Sequence, residues 1–144
     1  MTSLTPPRDW IDIYWPDIGA AGLSRWIAVL PLAATEQHGP HLPVGTDVMI
    51  GKAYLERVRE LLPPTLPVTF LPLQPIGIST EHIDYPGTLT LPTEVALKEW
   101  MALGESFGET VGQRLAQDRG VIVIGVLEAV GDRILADPGG DDEA

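Results

Sequence analysis

The 144-residue sequence predicts an α/β fold around a mostly parallel sheet. Two observations carry this prediction. Short, nearly continuous apolar runs at 26–32 (WIAVLPL), 68–73 (VTFLPL) and 121–127 (VIVIGVL) alternate with longer segments whose apolar residues recur every three or four positions. Runs of the first kind suit strands buried on both faces, and segments of the second kind suit helices with one apolar stripe. The resulting order, β-α-β-α-β, favours parallel strands joined by right-handed crossovers, with ligands gathering beyond the carboxyl ends of the strands.

The first strand, Trp26 to Leu32, carries Pro31 near its end, where the ladder can stop. Thr46 can cap the next helix, whose first turn holds Asp47; Ile50, Tyr54, Val58 and Leu61 form its stripe until Pro63-Pro64 ends it. Val68 to Leu73 repeats the strand pattern, and residues 77–91 read as an irregular loop with a turn at Pro86-Gly87. From Thr93 a longer helix places Leu97, Trp100, Leu103, Phe107, Val111 and Leu115 on one face, and Val121 to Leu127 is the last strand. Three strands with two helices leave sheet edges and apolar surface to be covered, so the fold reads as incomplete.

Length sets a single domain. Within it, residues 1–20 read as an N-terminal extension, 105–127 as the end of the long helix and the last strand, and 128–144 as an acidic tail containing Asp137, Asp141, Asp142 and Glu143. The composition, 44% hydrophobic and 20% charged, is that of a globular protein. A formal charge of −11 repels phosphate backbones and anionic lipid, which argues against nucleic-acid and membrane partners. With no cysteine, any metal must be held by nitrogen and oxygen ligands. MTSLTPPRDW lacks the apolar core of a signal peptide, and no run reaches bilayer length, so the expected location is the cytoplasm.

The stretch ATEQHGPHLPVGTD, residues 34–47, holds two of the three histidines in the chain. In extended backbone Glu36 and His38 point the same way and Gln37 the other. Asp47, at a helix N-terminus that favours a carboxylate, completes a set if the loop folds back. Glu, His and Asp suit zinc, manganese or iron better than softer centres. Such an ion lowers the pKa of a bound water, chemistry that suits attack on an amide carbonyl. On spacing alone an E-x-H pair in a polar loop is more often solvated or structurally hydrogen-bonded. His41, between two prolines, reads as structural or supporting, and His82 in STEHIDYPGT reads equally as a loop histidine or as part of the site.

The stretch T-E-Q-H-G-P-H-L-P-V-G-T-D, followed after a helix and a strand by G-I-S-T-E-H-I-D-Y-P-G-T-L-T-L, closely resembles the creatininase (creatinine amidohydrolase) family, in the same order. The resemblance covers residues 20–105. It implies a three-layer α/β sandwich around a mostly parallel sheet, often assembled as a homo-oligomeric hexamer. It also implies two divalent metal ions, zinc, manganese or iron, held by Glu36, His38 and a bridging Asp47; His41, Glu81 and His82 are separately expected as supporting or substrate-site residues. Members of the family hydrolyse C–N bonds in small cyclic amides such as creatinine, in formamides of flavin and deazaflavin pathways, or at the end of a peptide-derived cofactor. A small amide is the expected substrate, and no general acid is assigned.

After the last strand the family places an N-G-H-G-G-N-like segment whose histidine is a further metal ligand. Here GVLEAVGDRILADPGG stands in its place, without a histidine, and Glu128 and Asp132 sit at about the right topological place to serve as ligands. This departure keeps a second expectation open: a truncated, noncatalytic chain of the same fold, or an interaction protein. A nucleotide-binding domain would also fit the β-α order but needs a glycine-rich phosphate loop after the first strand, which is absent.

Overall fold

The computed structural model describes residues 5–20, 26–110 and 122–125. After a 3-10 turn at Trp10–Asp12, the elements are α1 (Trp15–Ala20), β1 (Ile27–Leu32), α2 (Thr46–Leu61), β2 (Val68–Phe70), a 3-10 turn at Thr80–His82, α3 (Thr93–Thr110) and β3 (Ile122–Gly125). The three strands form one sheet in the order β2-β1-β3. Both pairings are parallel, with Ile27 opposite Val68 and Val29 opposite Ile122. The parallel α/β architecture read from the sequence is the one observed. Val111, Leu115, Val121, Leu127, Glu128, Asp132 and the acidic tail lie outside the described residues.

Alternation along β1 divides the core. Ala28, Leu30 and Leu32 turn to one side, where they meet Trp26, Leu71 and the α3 residues Ala96, Trp100 and Phe107. Val29 turns to the other side with Val68 and Phe70, against Leu55 of α2 and the Leu62 and Leu66 that follow it. The two helices therefore cover opposite faces, giving helix, sheet and helix in three layers. Each face of the sheet thus carries one helix, while apolar side chains such as Tyr54 on α2 and Met101 on α3 stay exposed, in keeping with an incomplete fold. Full burial of Leu30, at 0% exposure, contributes about 1.5–3 kcal/mol.

Several expectations about the helices are also revised. Thr46 is not the cap of α2: Gly45 is, and Thr46 opens the helix with its hydroxyl donating to the Pro43 carbonyl at 2.6 Å. The apolar stripe of α2 faces outward, with Tyr54 62% and Leu61 64% exposed. The helix meets the sheet through Leu55, and Gly51 is buried. On α3, Trp100 and Phe107 are buried as expected, but Leu97 and Leu103 are exposed, and the fully buried Ala96 joins the core instead. Regular pairing in β2 stops at Phe70, after which Gln74 makes an isolated parallel bridge to Leu32.

The N-terminal segment is docked onto the core. The Phe70 amide donates to the Arg8 carbonyl, and the Arg8 guanidinium donates to the carbonyls of Leu66, Val68 and Pro63. Trp10, Ile13 and Ile18 pack against the α3 side of the core, with the Trp10 and Phe107 rings edge to face at 5.1 Å. Among the described residues, no helix is long and apolar enough to cross a membrane.

Candidate metal centre

Beyond the end of β1 the chain makes a closed loop. The Glu36 amide donates to the Val44 carbonyl at 2.9 Å, and the Thr46 amide to Pro43 at 3.1 Å, which folds Asp47 in the first turn of α2 back toward Glu36. Gly39 makes the turn at φ +72°, a conformation that suits glycine. The segment after β2 is laced onto this loop: the Leu89 amide donates to the Thr35 carbonyl at 2.8 Å, and the Gln37 amide to the Thr88 hydroxyl at 3.2 Å. The two motifs thus form one structure at the carboxyl end of the sheet.

Ligand atoms of Glu36, His38 and Asp47 lie within 4.8 Å of one another. Gln37 points away from them, as extended backbone requires, and its side chain reaches His82 on the neighbouring loop. A second set, Glu36 with Glu81 and His82, meets the same distance condition and shares Glu36 with the first. His41 belongs to neither set and is exposed, its ring folded near Gly39. Glu128 and Asp132, the remaining acidic candidates, lie outside the described residues.

The state of His38 follows from its partners. Its Nδ1 lies 3.1 Å from the Glu36 carbonyl, which can only accept, so Nδ1 carries a proton. In the neutral ring Nε2 is then a bare lone pair, and it lies 3.2 Å from Asp47 Oδ1. Two acceptors face each other there, an arrangement that calls for a cation between or beside them. Without a metal that cation is a proton. The imidazole pKa is accordingly raised above its ordinary value, first by the Glu36 carbonyl, against the opposing effect of partial burial, and further by the Asp47 and Glu36 carboxylates.

The donor set fits a divalent ion of borderline or hard character, with one imidazole nitrogen and two carboxylates. The ring orientation is the one metal-ligating histidines adopt, the far nitrogen donating to a carbonyl. A separate cavity of about 380 Å³ lies on another flank of α2, lined by Asp9, Lys52, Leu55, Arg59 and Phe70, and includes none of these donors.

Sequence reasoning missed the residues that hold the loops together. Gln37, Thr88 and Thr90 each make a side-chain hydrogen bond that fixes this region, Thr90 by accepting from the Ser79 amide at 2.8 Å. The available signal was the T-x-T of the second motif, polar positions alternating in an otherwise irregular segment.

A mycofactocin precursor peptide peptidase of Mycobacterium tuberculosis is 37% identical to this chain over 84 residues, covering 54% of this chain and 34% of that protein. A mycofactocin precursor peptide peptidase of Mycobacterium ulcerans is 40% identical over 77 residues, covering 49% and 31%. The aligned part is about a third of the length of these curated relatives. Among solved structures, a tryptophan-to-phenylalanine mutant creatininase matches with a TM-score of 0.55 at 19% identity, over 83% of this chain and 59% of that one. A structure described as "Creatininase Mn" matches with a TM-score of 0.54, also at 19% identity, over 83% and 58%. At this identity the likeness is one of fold. The profile of the Creatininase (creatinine amidohydrolase) family matches residues 12–116, a stretch that contains both motifs and every donor of the two sets. This chain belongs to the creatininase family.

Proposed function

We propose that Glu36, His38 and Asp47 bind divalent metal and that the chain is the metal-binding part of a hydrolase acting on a C–N bond. The observation that carries this reading is the approach of His38 Nε2 to the Asp47 carboxylate at 3.2 Å, beside Glu36. A bound divalent ion supplies Lewis acidity toward an amide carbonyl and lowers the pKa of a water. The chain's own residues do the holding. The Glu36 carbonyl keeps the His38 lone pair directed inward. The two carboxylates offset the charge of the ion. The Glu36–Val44 and Leu89–Thr35 backbone bonds fix the loop that carries them.

The substrate class follows from the family and from the names of its relatives. Small and cyclic amides are one possibility; a C–N bond of a peptide is the other, supported by the likeness to mycofactocin precursor peptide peptidases. Zinc, manganese or iron would suit the donors, and the structure described as "Creatininase Mn" supports manganese.

Elemental mass spectrometry on protein purified without chelators tests the reading. About one to two divalent ions per chain are expected, with tight binding lost in Glu36→Ala and in Asp47→Ala. Unchanged metal content in both variants sinks the assignment. A second reading, a noncatalytic chain of this fold, is favoured by the absence of any histidine after His82. A folded, metal-free protein that takes up no added ion would put it first.

A further inference from the structure

The two donor sets that meet at Glu36 satisfy the same distance condition, and hydrogen bonding tells them apart. The Gly39 amide donates to Gln37 Oε1 at 2.9 Å, which fixes the orientation of the Gln37 side-chain amide. Gln37 Nε2 is therefore the atom 3.0 Å from His82 Nδ1, and because an amide NH2 only donates, Nδ1 accepts. A neutral His82 ring then carries its proton on Nε2, the atom 3.6 Å from Glu36 Oε1. His38 is wired the opposite way, with Nδ1–H toward the Glu36 carbonyl and Nε2 facing the Asp47 carboxylate as the nitrogen open to a cation.

We infer that His82 is a positioning residue for Glu36 rather than a metal ligand: its Nε2–H is aimed at one carboxylate oxygen and leaves the remaining lone pairs to the cation. At 3.6 Å the two atoms are not hydrogen-bonded; a movement of about half an ångström brings them to hydrogen-bond length. For His82 Nε2 to coordinate an ion its proton would have to move to Nδ1, where it would meet the Gln37 NH2. Turning that amide over to accept the proton would deprive the Gly39 amide of its acceptor. The relay Gly39–Gln37–His82–Glu36 thus assigns the ion to the His38 and Asp47 side and gives Gln37, between the two donors of the first motif, a specific task. Tyr85 stands edge-on to the His82 ring, with the ring centroids 6.3 Å apart.

The inference rests on the reading of Glu36 as a ligand, but the ring states do not, so the two are separable. Long-range proton–nitrogen correlation spectra of the ¹⁵N-labelled chain at about pH 8, where an ordinary histidine is neutral, report the tautomer of each ring. The chain has three histidines, so replacing each with Gln in turn assigns them. In chelator-treated protein the expected pattern is Nε2–H for His82; on adding zinc, His38 Nε2 shifts and His82 keeps its pattern. A His82 ring protonated on Nδ1, or one whose Nε2 responds to zinc as a ligand does, overturns the inference. A His38 that ignores zinc counts against the metal reading alone, since His82 is still decided by its own tautomer. Zinc affinity supplies the second measurement: His82→Leu should weaken it about 10- to 100-fold, the usual cost of losing a group that orients a ligand, and His82→Gln, which keeps an N–H donor, should restore most of it. Equal affinities in the parent and both variants overturn the positioning role.

Discussion

Replacing Gly77 with alanine should damage the site from a distance. A Cβ built at this position lies 2.8 Å from the Ala33 carbonyl oxygen, whereas ordinary contact begins at 3.4 Å. Neither side has a flexible atom to yield. Gly77 is held by its carbonyl, which accepts from the Leu91 amide at 2.9 Å, and Ala33 by its amide, which donates to Gln74 at 2.9 Å. The clash of about 0.6 Å must be absorbed by backbone, at an overpacking cost of about 1–3 kcal/mol. For a chain of this size that is a fall in Tm of roughly 3–12 °C. The strain enters three residues before Glu36, so zinc affinity should fall with stability. Gly45→Ala is the control: nothing lies within 4 Å of its added Cβ, and loss of a favourable cap is offset by a stiffer unfolded chain, leaving it within about 1 kcal/mol of the parent. Thermal unfolding by circular dichroism with a parallel zinc titration reads both effects. A Gly77→Ala chain that melts with the parent and binds zinc as tightly would refute the reasoning.

Protonation of His38 should have two opposite signatures. Its folded pKa is raised, mainly by the Glu36 carbonyl. In the metal-free chain the stabilisation this represents is complete below the unfolded value of about 6.5 and fades as pH rises through the raised folded value. The same proton competes with a cation for Nε2, so zinc affinity should weaken as pH falls through that raised value; an affinity that stays flat between about pH 8 and about pH 5.5 contradicts this. Trp100→Ala, which empties a site only 8% exposed between α3 and β1, should cost about 3–5 kcal/mol by denaturant unfolding. A cost under about 1 kcal/mol would show that α3 does not anchor the sheet.

What the sequence made legible and what it concealed divide along physical lines. β1 is buried on both faces, so nearly every residue in it is apolar and the run stands out. The α2 register was misleading because the conspicuous apolar residues Ile50, Tyr54, Val58 and Leu61 face outward, while the contact with the sheet runs through Leu55. Ala96 hides in the same manner on α3: a small residue lets a helix come close and leaves little hydrophobic trace. Glu36, His38 and Asp47 could be singled out because each owes its direction to local geometry, an extended segment for two and a helix start for the third. Gln37 and Thr88 could not, since their roles depend on a pairing between segments 51 residues apart.

That separation also fixes the order in which the site can be built. The loop after β1 is tied by groups on Thr88 and Leu89, which reach it only once β2 has paired with β1 and the chain has turned back at Gly87. Closing so long a loop is entropically costly and is repaid only by contacts already made elsewhere. A chain emerging from synthesis therefore holds Glu36, His38 and Asp47 long before it holds them in place. On the proposed metal reading, the donor set is held in place only in the late stages of folding, after the strands have paired.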